Sequence, residues 1–328
     1  MAIFIFRRAS FGIITIFLAS ILNFIIIQLP PGDYISRLEQ QMRAATGSAD
    51  LAALEAMRVR FGIGEPQIVQ YWKWISGFVQ GDLGISFQYN REVTDLIGQR
   101  LLLSLILSSA TLAFTWAVAI PIGVFVAVRK YGIADNVLTV IGFIGLALPN
   151  FLLALVLVYI SLFWFDATSV GGLFSREYQN APWSLGKIGD LLEHLWIPVI
   201  VIGTAGTAGL IRIMRTNLLE TFGEMFVLTA RAKGLRERSV VWKHAVRVAI
   251  NPLISILGLS LPFIIGGEII VSIVLNLPTL GPLFYEALEI QDMFVAGGIL
   301  MLLTTLLIIG NFLADLLLAW SDPRIKIS

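Results

Sequence analysis

The feature that most constrains this chain is the recurrence of apolar runs too long for the core of a water-soluble domain. Leu101 to Val128 holds no charged residue, and neither does Val137 to Phe165. A membrane-spanning helix needs roughly 20 mostly apolar residues. Four more stretches approach or meet that length: Ala9 to Leu29, about Leu195 to Met214, Pro252 to about Leu275, and Met293 to Ala314. The pattern predicts an all-α integral membrane protein with six spans. Composition agrees, because only 14% of residues are charged and 57% are hydrophobic, whereas a soluble domain carries about 25% charge. The net charge of +1 gives no footprint for nucleic acid.

Arg7 and Arg8 precede the first run as they would in a signal peptide. Pro30, Pro31 and Gly32 follow it where a small-residue cleavage site would be needed, so the run is expected to stay as a first span. Lysine and arginine then set the orientation. With the N-terminus inside, fourteen of the 23 basic residues fall on the cytoplasmic side, and most of the rest lie in one long outer loop. Both termini are expected in the cytoplasm. Residues 1–29 form the N-terminal span and 30–100 an extracytoplasmic helical region. Residues 101–320 are the five-helix core, and 321–328 a cytoplasmic tail.

Four prolines, Pro121, Pro149, Pro198 and Pro262, lie inside apolar runs. Each removes a backbone donor and tends to kink its helix, as suits helices that line a transport path. Glu268 is the acidic residue furthest inside a span. A carboxylate at mid-membrane costs about 2.5–3.5 kcal/mol on insertion scales; counted from Pro252, Glu268 falls past the midplane near the outer mouth, so it reads either as part of a pathway or gate, with Pro262, or as a pairing or interfacial residue. His194, at the start of the fourth span, reads as interfacial.

Outside the spans, Asp50 can cap a helix whose Leu51, Leu54, Met57 and Phe61 share a face, with Gly62 and Gly64 ending it. Pro66 opens a second helix, with Val69, Trp72, Ile75 and Val79 as its apolar face. Two such helices cannot bury a core alone and should pack on the mouth of the bundle, as a structural cap or as a docking surface for a soluble partner.

The loop 214–251 is longer than two adjacent spans require. Thr229-Ala230-Arg231-Ala232-Lys233-Gly234-Leu235 reads as a helix stopped at Gly234, and the stretch through Trp242, Lys243 and His244 as a second helix crossing it. Ala230 and Ala232 are small enough to let another protein approach closely. No catalytic constellation is visible. There is no cysteine and there are two histidines, which excludes thiolate and histidine-rich metal sites. No phosphate-binding loop is present either: the one Gly-Lys pair, Gly186-Lys187, is followed by Ile188.

These motifs, in order and spacing, resemble the permease subunits of binding-protein-dependent ABC importers, and within them the first permease of the dipeptide/oligopeptide group. The resemblance runs over nearly the whole chain. It rests on the Thr229–Leu235 motif with Lys243-His244-Ala245 and Pro252, on Pro31-Gly32-Asp33, on Tyr71-Trp72-Lys73-Trp74 leading to Gly81-Asp82-Leu83-Gly84-Ile85-Ser86, on Pro149 and Phe151, and on Asp315 with Asp322-Pro323-Arg324-Ile325. It departs at Leu102, Val248, Ser272 and Thr279. What it implies is a type I importer fold in a bacterial or archaeal inner (plasma) membrane. The partners would be a second homologous permease, two cytoplasmic ATPases that use ATP and Mg, and a substrate-binding protein. The cargo would be peptides, or oligosaccharides. A helix around Thr229 to Trp242 would couple to one ATPase, and this chain would bind no cofactor itself. The competing reading, an ion-coupled secondary transporter, needs a midplane ion site and usually an internal repeat, and neither is evident.

Overall fold

The computed structural model describes residues 2–46, 50–164 and 171–321. Among them every regular element is helical. Four helices are long and apolar enough to cross a membrane, and two bent pairs bring the count to as many as six. Asp166 and the terminal Asp322–Ile325 motif lie outside the described residues. Two compact units are formed, one from Met1–Leu102 with Thr279–Thr305, the other from Leu103–Pro278 with Leu306–Ser328.

The first unit starts with α1 (Ala2–Gln28), followed by α2 (Tyr34–Thr46), α3 (Leu51–Phe61) and α4 (Gln67–Gln80). Asp33 caps α2 by accepting from the Ser36 N–H at 2.7 Å, and Arg58 of α3 reaches back to the same carboxylate. Helix α2 had no counterpart in the periodicity reading. The expected cap of α3 is present: Asp50 accepts from the Ala53 N–H at 3.1 Å, and Gly62 ends the helix at φ +66°. The left-handed conformation favours glycine there. Leu54 is buried while Leu51 faces out.

In α4 the expected apolar face is displaced. Tyr71, Trp74 and Ile75 are the buried residues, whereas Val69, Trp72 and Val79 are exposed. Size does not decide the face, since Trp72 is as large as Trp74 and stays exposed; the neighbouring helix does. Phe24 of α1 packs on Tyr71 and Trp74 with ring centroids 5.4 and 5.9 Å apart.

The same unit takes in α14 (Leu280–Glu289) and the start of α15 (Met293–Ser321). Phe87 packs against Phe61, Phe294 and Tyr34. Beside this cluster, Asp292 is buried and accepts from Ser86 Oγ at 2.6 Å and from the backbone N–H groups of Gln88 and Val295 at 3.3 Å. Burial raises its carboxyl above the usual range, and those hydrogen bonds pull it partly back.

The second unit holds most of α5 (Val93–Val128), then α6 (Ile133–Ala147), α7 (Asn150–Trp164) and α8 (Leu185–Thr221). The third apolar run, expected as one span, is instead two helices bent by 100°. Leu148 sits at ψ 124° ahead of Pro149. The proline ring disfavours helical backbone at the preceding residue, so the helix ends and restarts. Pro121 and Pro198 lie inside unbroken helices.

Helix α8 is the hub against which α6 and α7 pack. It is far longer than the apolar run and carries Arg215 into the protein, where the guanidinium grips the buried Asp135 of α6 with two hydrogen bonds of 3.0 and 2.8 Å. That carboxylate also accepts from the Tyr131 N–H, so both of its oxygens are satisfied.

Next come α9 (Met225–Ala232), α10 (Glu237–Ser239), a π-helical turn (Val240–Ala245), α11 (Val246–Ala249), α12 (Asn251–Gly267) and α13 (Ile269–Val274). The fifth apolar run is thus broken between α12 and α13 at Glu268. Helices α12 and α15 touch backbone to backbone at Gly258 and Gly310: a Cβ on Gly310 would sit 2.5 Å from the Gly258 carbonyl oxygen.

Candidate functional site

The loop between α8 and α12 is a compact helical knob built on a firm base. Helix α8 runs on to Thr221, so Leu218 and its neighbours, expected in the loop, belong to the spanning helix. The chain then reverses through Phe222–Glu224 into α9. Val227 and Ala230 of α9 are buried with Val240, Val241 and Ala245 of the π turn, over Val124, Met214, Leu218 and Leu253 from the ends of α5, α8 and α12. The π turn serves this packing. The Val246 N–H reaches back five residues to the Val241 carbonyl, and the wider turn lets Val240 and Ala245 share one face.

Helix α9 ends at Ala232 with Lys233 as its cap, and Gly234 follows at φ +75°, with the Leu235 N–H donating to the Ala230 carbonyl at 3.3 Å. The stretch Thr229 to Trp242 is therefore two helices at a glycine turn, as the residues themselves predict, and not the single helix that the resemblance implies. Ala230 does not reach the surface that was expected to meet a partner. It packs in the chain's own core, while Ala232 is exposed.

Thr229, Arg231, Lys233, Gly234, Leu235 and Lys243 all reach the surface, and His244 is half-buried. Arg231 pairs with Glu237 across the turn at 2.7 Å and stacks on Phe222. Met225, Leu228, Leu235 and Trp242 are exposed large apolar residues beside Arg236, Arg238 and Lys243. Exposed large apolar residues among basic ones, over a buried base, are the composition of a protein-docking surface. Met225 and Leu228 did not figure in the sequence motif, because their exposure depends on which face the knob buries.

The other candidates sit apart from the knob. Glu268 is wholly buried at the junction of α12 and α13, its carbonyl accepting from the Ser272 N–H at 2.7 Å. Pro262 lies within α12 and is half-buried. His194 is packed against Asp190 on α8, with Nδ1 2.7 Å from the Asp190 carbonyl oxygen. Among the described residues no group of three or more metal-ligating side chains converges.

Long apolar helices carrying a small, firmly based helical knob define a multi-pass helical membrane protein. The family described as the inner membrane component of binding-protein-dependent transport systems matches residues 119–327, and the N-terminal membrane component of the same systems matches residues 1–108. The chain belongs to this family. It is 36% identical to the oligopeptide transport system permease protein AppB of Bacillus subtilis, over 99% of this chain and all of that one. It is 35% identical to a putative peptide permease of Brucella ovis and 30% identical to the dipeptide transport system permease protein DppB of Escherichia coli, over 98% of both chains in each comparison. It is thus an ABC importer permease subunit, the non-catalytic part of a machine whose ATPase activity sits in separate subunits. The ion-coupled alternative finds no support among these relatives.

Proposed function

We propose that this chain is one of two permeases of a peptide importer in a bacterial or archaeal inner membrane, with six spans and both termini in the cytoplasm. The peptide cargo is supported by the relatives, which are named for oligopeptide and dipeptide transport. A second homologous permease completes the pathway, a substrate-binding protein delivers cargo from outside, and two ATPases bind and hydrolyse ATP with Mg on the inside. The loop 214–251 is the contact with one ATPase.

The observation that carries this reading is the exposed patch of Met225, Leu228, Leu235 and Trp242 on a buried base. ATP-driven closure of the ATPases pushes a knob that cannot yield locally, so the force reaches α5, α8 and α12. Arg231, Lys233 and Lys243 edge the contact, and Gly234 allows close approach at the turn. Glu268 and Pro262 act at the pathway or gate, where a buried carboxylate and a proline-bearing helix meet a break in the fifth span.

The test is a gentle affinity purification from the native membrane with a photo-crosslinker at Leu235, followed by mass spectrometry and by uptake of labelled di- and oligopeptides in vesicles. Recovery of a second permease and an ATPase crosslinked at Leu235 is the expected result. A chain that stays alone after crosslinking sinks the reading, and vesicles that take up no peptide sink the cargo assignment.

A further inference from the structure

Helix α4 carries more apolar surface than its own chain covers. At 100° per residue, Tyr71, Trp74 and Phe78 occupy one flank of a broad apolar sector, and they pack on α1 and α15. Ile68, Trp72 and Val79 continue that sector on the other flank, and they are 68%, 56% and 80% exposed. Lys73 and Gln80 lie on the opposite side. A helix in water has no reason to set these three large side chains in one exposed stripe.

Its depth is fixed by two independent contacts. Tyr71 Oη lies 2.8 Å from Ser20 Oγ, and Ser20 is eight residues inside the end of α1, about 12 Å along the axis. The reach of a tyrosine side chain is well short of that length. On the other spanning helix, Trp74 abuts Gly297, where an added Cβ would meet the indole at 3.0 Å. Met301, eight residues inside α15 and again about 12 Å from its start, closes the same cluster. Helix α4 therefore runs beside the ends of the two spans, not above them.

We propose that α4 is an interfacial helix whose partner is the lipid of the leaflet on its side. Ile68, Trp72 and Val79 enter the acyl boundary, and Lys73 and Gln80 reach the headgroup layer. This is the arrangement of an amphipathic helix lying in the membrane surface, with a tryptophan at the level where that side chain anchors. Part of the segment 30–100 then belongs to the bilayer, and the helices beyond it are tied to the membrane at a fixed height.

The absence of cysteine makes the test direct. Single variants Ile68→Cys, Trp72→Cys and Val79→Cys, with Lys73→Cys and Gln40→Cys for comparison, are spin-labelled in the full chain. The chain is purified with its bound subunits and reconstituted in phosphatidylethanolamine/phosphatidylglycerol vesicles, with the cysteine-free parent as background. Collision with oxygen should exceed collision with a water-soluble nickel complex at positions 68, 72 and 79, and nickel accessibility there should be several-fold below that at position 40. Nickel accessibility equal to that at position 40 would place the stripe in water. Exclusion of both reagents would mean that protein covers it. Either result overturns the proposal, and three stripe positions guard against one variant failing to fold.

Discussion

Gly234 offers the sharpest separation between a turn that merely folds and a turn that touches a partner. Its φ of +75° lies in the left-handed region, and among the described residues nothing beyond its two chain neighbours stands within 4 Å of a Cβ added there. Any L-residue with a Cβ meets a backbone cost of about 1–2 kcal/mol at such a position. That cost is set at Cβ and does not grow with the side chain, because the surroundings are open. Gly234→Ala and Gly234→Trp should therefore lose similar stability, of order 1 kcal/mol, and Gly234→Asn less, since asparagine tolerates this conformation. Function should divide them. In the purified complex, the alanine and asparagine variants should keep their ATPase subunits and most of the hydrolysis coupled to transport. The tryptophan variant should lose one or the other, because its bulk meets the partner. Melting curves supply the stability ranking, and retained ATPase subunits with coupled hydrolysis supply the functional one. A tryptophan variant that performs like the alanine variant would refute the contact. An alanine variant as defective as tryptophan would show that backbone geometry, not the surface, is what matters.

Four other outcomes follow from the geometry. Arg215→Leu strands the buried Asp135 carboxylate and should cost about 3–5 kcal/mol; thermal denaturation in detergent should show most of that loss recovered when Asp135→Asn is added. Asp292 holds its proton more tightly folded than unfolded, so its contribution is complete below the ordinary carboxyl value of 3.8 and is lost as pH rises through the raised folded value. The melting temperature should fall across that window, and Asp292→Asn should flatten the profile. Gly258→Leu drives a side chain into Asn311, whose atoms would lie 2.5–2.7 Å from the new Cβ, and should cost at least about 1–3 kcal/mol, read as loss of folded chain from the membrane. Glu268→Gln should leave chain level and partner recovery unchanged while lowering uptake; normal uptake dismisses its pathway role.

Several features could be read from the order of residues because their causes are local. Uninterrupted apolarity announced long membrane helices, since lipid leaves the backbone no other partner than itself. Asp50, Gly62, Pro66 and Gly81 marked the ends of α3 and α4, as capping and left-handed turns act over a few residues. Gly234 marked the turn in the knob for the same reason. The bend at Pro149 was legible as a kink, but its 100° angle was not, because the angle is set by what α6 and α7 pack against. The partner of Arg215 was not legible, because Asp135 lies 80 residues away in the chain.

The sequence by itself determined that this chain crosses a membrane, where α3 and α4 start and stop, and through its motifs to which family it belongs. Tertiary structure alone decided which face each helix buries. It put Ala230 inward and Trp242 outward, chose Tyr71 and Trp74 over Trp72 to meet α1, and satisfied Asp292 from a loop some 200 residues earlier. Periodicity tells that a helix has an apolar side. When the solvent is itself apolar, it cannot distinguish the side that meets protein from the side that meets lipid, and only the neighbours supplied by the fold make that choice.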